Sequence, residues 1–168
     1  MKAHSTTVRS VRFHPDGHHF VTASQDKTIK IWDTSTQKFV RSLIGHTHWV
    51  RCARYSSDGS MIVSCSDDKT IRLWDPKSGK VTHTYENKRG VPNYIDCHPS
   101  GGYIGSAMAY GVIKIYDSRQ HELLQYYSCH NKQINSLSFD PSGLFMISGS
   151  DDGAVKVGVF KDPRNIVI

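Results

Sequence analysis

Histidine, a hydroxyl residue and aspartate recur at one fixed spacing in this sequence, and these are the residue types of a Ser–His–Asp catalytic triad. The sets are His4, Thr22 and Asp26; His46, Ser64 and Asp68; and His130, Ser148 and Asp152. Repetition of one catalytic site within a small domain would be unusual, and a triad is defined by geometry, not by composition. The sequence also lacks a phosphate-binding glycine loop and an HExxH motif. We therefore predict that the protein is not an enzyme and that these side chains are structural.

Cysteine and histidine lie side by side at residues 97–98 and 129–130, which suggests metal ligands. Zinc sites usually take two ligands a few residues apart on one turn, and that spacing is missing here. The cysteines are Cys52, Cys65, Cys97 and Cys129, and none belongs to a CxxC pair. In a reducing compartment such cysteines usually act as small apolar side chains. We predict no metal site and no cofactor.

The composition is that of a folded globular chain with a mixed-charge surface and a net positive charge. The 168 residues are 38% hydrophobic and 21% charged, with a net charge of +6. Basic and acidic residues are mixed along the chain, so nucleic acid is not the expected partner. Apolar runs are only a few residues long, and the polar start lacks the apolar core of a signal peptide. These features predict no membrane insertion and a cytoplasmic location.

A repeat of 42 residues organises the chain, because four glycines recur at that interval. They are Gly17, Gly59, Gly101 and Gly143. The repeat predicts one domain over residues 1–168, with units at about 4–45, 46–87, 88–129 and 130–168. A period of 40–45 residues is typical of four-stranded propeller blades.

The first unit shows how each repeat should fold. Residues 8–13 alternate apolar and polar side chains, as a half-buried strand does. Residues 14–17 form a Pro- and Gly-containing turn, and further strands are predicted at 20–24, 29–32 and 39–43. No segment has a helical period, so the predicted fold is all-β.

The repeats resemble those of the WD-repeat family through Gly45-His46, Trp32-Asp33 and residues 66–75. The resemblance implies a β-propeller of four blades, each with four antiparallel strands. It also implies that a buried tetrad of His, Ser or Thr, Asp and Trp locks each blade. Carried over by position, the tetrads are His4, Thr22, Asp26 and Trp32; His46, Ser64, Asp68 and Trp74; and, without a tryptophan, His130, Ser148 and Asp152.

The third and fourth repeats depart from the family pattern. The third has Lys88, Tyr110 and Tyr116 where the pattern has His, Asp and Trp, and keeps only Ser106. In the fourth, Gly158 and the residue after it replace Trp-Asp. The fourth blade is therefore expected to depart from the family pattern in its last strand pair.

Residues outside the shared motif resemble a narrower family of WD-repeat proteins, the one called the proteome of centriole family. The similar segments include residues 8–11, 20–24, 37–39, 49–53 and 94–96, within about 2–157. Members of that family are centriole and basal-body scaffolds with seven-bladed propellers. The resemblance implies that this chain supplies the middle blades. It also implies centriolar or ciliary protein partners, a cytoskeletal location at the centriole, centrosome or cilium basal body, and a role in centriole assembly or stability and in ciliogenesis.

A four-residue segment suggests an alternative function. Residues 116–119, Tyr-Asp-Ser-Arg, differ at one position from the Trp-Asp-x-Arg box of many substrate receptors of cullin-type ubiquitin ligases. Such a short match is weak evidence by itself.

Family position also implies a partner-binding top face built from loops. The residues expected there are Thr7, Arg9 and Gln25; Trp49, Arg51 and Asp67; Val91, Asn93 and Ala109; and Gln133, Asn135 and Asp151. Trp and Arg are typical binding hot spots. We therefore expect Trp49, Arg51 and Arg9 to form an aromatic and basic patch that suits an acidic or aromatic partner segment.

Four blades of a larger ring would form an open arc with apolar end faces. Three interpretations follow. The chain is a fragment of a longer protein, or two copies associate through their end blades toward an eight-bladed ring, or the four blades close as a strained ring.

Overall fold

The computed structural model describes residues 2–161, and every regular element in that range is a β-strand. The strands are β1 (Val8–Phe13), β2 (His19–Ser24), β3 (Thr28–Asp33), β4 (Phe39–Ile44), β5 (Val50–Tyr55), β6 (Ile62–Ser66), β7 (Thr70–Trp74), β8 (Val81–Glu86), β9 (Pro92–Cys97), β10 (Tyr103–Met108), β11 (Val112–Asp117), β12 (Leu123–Ser128), β13 (Ile134–Phe139), β14 (Phe145–Ser150) and β15 (Val155–Val159). The all-β prediction is confirmed. None of the described residues lies in a helix long and apolar enough to cross a membrane.

The strands form four separate antiparallel sheets in chain order. Blade 1 is β1–β4, blade 2 is β5–β8, blade 3 is β9–β12, and blade 4 is β13–β15. The first strand of each blade contacts the first strand of the next, so β1, β5, β9 and β13 are the inner strands. This is the arrangement of consecutive propeller blades.

Local sequence explains the strands and turns of blade 1. The predicted strands at 20–24, 29–32 and 39–43 are extended by at most one residue at either end. The turn between β1 and β2 needs a left-handed residue, and Gly17 supplies it with φ of 75°. The turn between β2 and β3 instead holds Lys27 at φ of 72°.

Apolar side chains fill the spaces between neighbouring blades. Val21 and Ile31 of blade 1 share one cluster with Ala53 and Tyr55 of blade 2, and all four are buried. Similar clusters join blade 2 to blade 3 and blade 3 to blade 4. Burying a valine or isoleucine side chain contributes roughly 1.5–3 kcal/mol to the free energy of unfolding. Packing between neighbouring blades therefore helps to hold the arc together.

Within residues 2–161 the sheets do not close into a ring, and the two end blades expose apolar side chains. Phe13 in blade 1 is 66% exposed, and Val155 and Val157 in blade 4 are 74% and 68% exposed. The open-arc prediction agrees with this arrangement, and the strained four-bladed ring does not.

Blade 4 differs from the predicted four strands, since it has three within the described residues. After β15 ends at Val159, Phe160 turns inward and is buried against Tyr103 and Phe139. The backbone N–H of Phe160 donates to the carbonyl of Leu144 at 2.7 Å. The remainder of the atypical tail, residues 162–168, lies outside the described residues.

Candidate partner-binding face

The His–hydroxyl–Asp sets lie inside the blades as hydrogen-bonded chains. In blade 1, His4 Nδ1 lies 2.8 Å from Asp26 and His4 Nε2 lies 2.7 Å from the Thr22 hydroxyl. The indole N–H of Trp32 donates to the same hydroxyl at 3.0 Å. Blade 2 repeats the pattern with His46, Asp68, Ser64 and Trp74 at 2.7, 2.7 and 2.8 Å.

Burial distinguishes these sets from a catalytic triad. Ser64 is completely buried and Thr22 is 3% exposed, so neither hydroxyl can reach a substrate. The tryptophan N–H occupies a lone pair that a nucleophilic hydroxyl would need. The chemistry of the sets is therefore structural, because each buried polar atom satisfies another.

The aspartates of the sets are held in the charged form. Burial alone would raise the pKa of Asp26, but hydrogen bonds from Thr28 and His4 outweigh it and lower the pKa to about 2. The pKa of Asp68 is lowered in the same way, by His46 and Thr70. In blade 4, His130 lies 2.9 Å from both Asp152 and Ser148, with no tryptophan to complete the set.

Blade 3 uses a different hydrogen-bond network, which the motif pattern does not predict. Lys88 is exposed and does not replace the histidine. Instead Asn87 is 2% exposed, and its carboxamide oxygen accepts from the Tyr116 hydroxyl and the Lys114 ammonium, both at 2.8 Å. A Cβ at Gly45, the equivalent position in blade 2, would lie 3.0 Å from Trp74. Tyrosine in place of that tryptophan leaves room for the asparagine side chain.

Four β-bulges place one side chain per blade at the centre of the arc. Register shifts occur around Arg9, Arg51, Asn93 and Asn135, the second residue of each inner strand. A bulge leaves one residue unpaired and turns its side chain in a new direction. The family resemblance alone predicts these four positions, and the bulge is the local feature that positions their side chains.

These bulged residues line one cavity of about 340 Å³, together with Tyr94 and Gln133. We call it the ring-centre depression. Of the described carboxylates, none forms an ion pair with the exposed Arg9. The side-chain N–H of Asn93 donates to the Ile134 carbonyl at 3.1 Å. The carboxamide oxygen of Asn93 is buried and has no hydrogen-bond partner in the described part of the chain.

The expected patch of Trp49, Arg51 and Arg9 needs one correction. Arg51 forms an ion pair with Asp67, so its charge is already partly neutralised within blade 2. Trp49 is 42% exposed, and its ring lies 5.3 Å from that of His48. The unpaired cation of the patch is therefore Arg9.

The other predicted top-face residues lie on the loops around the depression. The carbonyls of Thr7, Trp49 and Gln133 accept from the N–H groups of Gln25, Asp67 and Asp151, each at 3.0 Å. In blade 3 the same bond joins Val91 to Ala109 at 2.9 Å. Asn135 donates to Asp151, and Gln133 donates to Asn135 at 2.9 Å. The loop pairs are thus tied together, which gives the face a rigid frame.

Cysteines and histidines do not assemble a metal site in the described part of the chain, where no group of three or more metal-binding side chains is found. Cys52 and Cys65 are buried, and burial raises the pKa of both thiols. His98, one of the histidines beside a cysteine, lies 2.9 Å from the Gly143 carbonyl of blade 4. It therefore joins two blades.

Comparison with known proteins identifies the repeats. The family described as "WD domain, G-beta repeat" matches residues 1–33, 37–75 and 121–157, leaving out most of blade 3. The chain is 43% identical over 42 residues to "Ribosome biogenesis protein BOP1 homolog" of Aedes aegypti, covering 25% of the chain and 5% of that protein. It is 44% identical over 54 residues to "Nuclear distribution protein PAC1" of Arthroderma otae, covering 27% and 12%.

These relatives are much longer, since the chain matches at most 12% of either protein named above. The family match covers more than half of this chain, and the four sheets have the strand order of propeller blades. WD-repeat domains are in general non-catalytic modules that bind other proteins. This chain belongs to the WD-repeat family.

Proposed function

We propose that this chain is a non-enzymatic scaffold that binds an acidic segment of a partner protein at the ring-centre depression. The observation that carries the proposal is the convergence of Arg9, Arg51, Asn93 and Asn135, one bulged residue from each blade, on a single cavity. A rigid scaffold that presents loop side chains to one concave surface is a common basis of recognition.

The chemistry of the depression favours a carboxylate on the partner. Arg9 offers a guanidinium that can donate two parallel hydrogen bonds to a carboxylate. Trp49, on the loop that leads into β5, offers an exposed aromatic surface two residues before Arg51, which lines the same cavity as Arg9. An acidic residue followed by an apolar or aromatic residue would satisfy both.

We propose the centriole or cilium basal body as the place where this scaffold works, in assembly or stability of the organelle. The support is the resemblance of residues outside the shared motif, such as 8–11 and 49–53, to the proteome of centriole family. The functions in the names of the matched relatives, ribosome biogenesis and nuclear distribution, belong to those proteins.

A substrate receptor of a cullin-type ubiquitin ligase is the second candidate. The observation that favours it is the exposure of Arg119, the last residue of the near-match to the Trp-Asp-x-Arg box. An arginine that recruits a ligase adaptor must be accessible.

One imaging and affinity experiment tests both candidates. The tagged 168-residue chain is expressed in ciliated cells as the wild type, as Trp49→Ala/Arg9→Glu, and as Arg119→Glu. We expect the wild type and Arg119→Glu to concentrate at centrioles and the double variant to lose this localisation. Loss of a co-purifying ligase adaptor in Arg119→Glu alone supports the alternative, and a diffuse wild type contradicts the centriolar proposal.

A further inference from the structure

Blade 3 contains a second cavity, of about 720 Å³, at the place where its tetrad is missing. Lys88 and Arg89 come from the loop before β9, Tyr110 from the turn after β10, Lys114 from β11 and Tyr126 from β12. Glu86, at the end of β8, is also part of the lining. We call this cavity the blade 3 pocket, and it shares no lining residue with the ring-centre depression.

The departures of blade 3 from the repeat pattern explain why the pocket exists. In blades 1 and 2 the position of Tyr110 holds Asp26 or Asp68, each bonded to a histidine beneath the loop. Blade 3 has Lys88 in place of the histidine and Tyr110 in place of the aspartate, and its loop and turn are joined instead by the backbone bond from Ala109 to Val91. Tyr126 stands where blades 1 and 2 have Ser42 and Thr84, so it adds a large wall.

The cations of the pocket lie close enough to act on one another. Partial burial lowers the pKa of Lys114, and the charge of Arg89 lowers it further. Arg89 also acts on Tyr110, where it opposes the rise in pKa that burial causes. An anion bound between these groups would relieve the repulsion between Lys114 and Arg89.

We propose that the blade 3 pocket binds a phosphorylated serine or threonine side chain of a partner protein. Three cations face one carboxylate, which leaves two positive charges in the lining. A phosphate carries about −1.5 to −2 charges at neutral pH, so it balances this excess where a single carboxylate does not. The volume lies in the range of about 300–1,000 Å³ that is usual for ligand pockets, and leaves room for the residues beside the phosphate.

The shape of the site favours a peptide over a membrane surface. Basic residues that bind anionic lipid usually project toward a flat surface. Here Lys114 lies on a strand and donates to the buried Asn87, and the Tyr110 and Tyr126 rings stand at the rim, 39% and 71% exposed. Glu86 would repel an extended anionic surface, whereas a single phosphate can avoid it.

Fluorescence anisotropy with a labelled heptapeptide tests the proposal. The peptide carries one phosphothreonine among glycine and serine residues, and its unphosphorylated form is the matched ligand control. Lys88 and Arg89 are both exposed and lie outside the strands, so their replacement should not disturb the fold. Arg119→Ala removes an exposed arginine elsewhere and serves as the matched protein control.

We expect the phosphopeptide to bind at least tenfold more tightly than its unphosphorylated form. Arg89→Ala should weaken it at least tenfold, Lys88→Ala/Arg89→Ala should abolish it, and Arg119→Ala and Arg9→Ala should leave it unchanged. Equal binding of both peptides, binding that survives the double substitution, or retention only on vesicles containing phosphoinositide would overturn the proposal. Because Arg9 lies in the other cavity, failure here leaves the ring-centre proposal standing.

Discussion

The hydroxyl of Tyr116 donates to the carboxamide oxygen of Asn87 at 2.8 Å. In blades 1 and 2 the equivalent place is taken by a serine or threonine hydroxyl that bonds both the histidine and the tryptophan. The network has moved one position along the chain, from the histidine of the motif to the residue before it. Blade 3 thereby keeps a buried polar link while its outer end opens into a pocket.

Tyr116→Phe should destabilise the protein by about 1–2 kcal/mol, because it leaves a buried acceptor with one donor fewer. The free energy of unfolding in urea measures the effect. Tyr126→Phe is the matched control, since that hydroxyl is on an exposed side chain and its loss should change little. Equal values for the two variants would mean that the Asn87 bond contributes nothing.

Ser64→Ala should cost more than Ser148→Ala, by roughly 1 kcal/mol. The hydroxyl of Ser64 bonds both His46 and Trp74, whereas that of Ser148 bonds His130 in a blade that lacks the tryptophan. Removing the Ser64 hydroxyl therefore takes the bond from two buried ring nitrogens, Nε2 of His46 and the indole N–H of Trp74. Urea unfolding of both variants provides the comparison, and the reverse order would contradict the structural account of the tetrad.

The stability of the fold should fall as the pH drops from about 4 toward 2. Asp26 has an ordinary pKa of 3.8, lowered in the fold to about 2 by hydrogen bonds from Thr28 and His4 against the opposing effect of burial. A carboxyl whose pKa is lower in the fold contributes stability above its unfolded value and loses it on protonation. Asp26→Asn should flatten part of this pH dependence in thermal unfolding between pH 5 and 2.5. Glu122→Gln, at an exposed carboxylate, is the control and should keep the wild-type slope.

The isolated chain should self-associate through its end blades, because exposed apolar faces promote association. Light scattering should give a mass above 18.9 kDa that rises with concentration. Val155→Lys/Val157→Lys places charge on the exposed face of blade 4 and should shift the protein toward the monomer. A wild type that stays monomeric at every concentration would show that these faces do not associate.

The repeat predicted most of the fold because its signals are local. A strand alternation, a glycine at the left-handed turn position and a 42-residue period each act within one blade, and β1 through β14 follow them closely. The tail was different: Phe160 is buried by contacts with Tyr103 and Phe139, which are distant in sequence.

Parts of the candidate sites depend on pairings that the sequence does not display. The ion pair between Arg51 and Asp67 joins a bulge to a turn across two strands, so the free charge at Trp49 was overestimated. Asn87 could have been noticed, since an asparagine replaces the glycine of the motif in the same repeat in which tyrosine replaces tryptophan. The blade 3 pocket is lined by other replacements in the same repeat, Lys88 for histidine, Tyr110 for aspartate and Tyr126 for a small hydroxyl residue.

The most direct test of the ring-centre proposal is an NMR titration of the ¹⁵N-labelled chain with an acidic hexapeptide that contains one phenylalanine. The account predicts shifts concentrated at Arg9, Trp49, Arg51 and Asn135, and their loss in Trp49→Ala/Arg9→Glu with the remaining spectrum unchanged. Shifts confined to the blade 3 pocket, or spread evenly over basic residues of all loops, would contradict it.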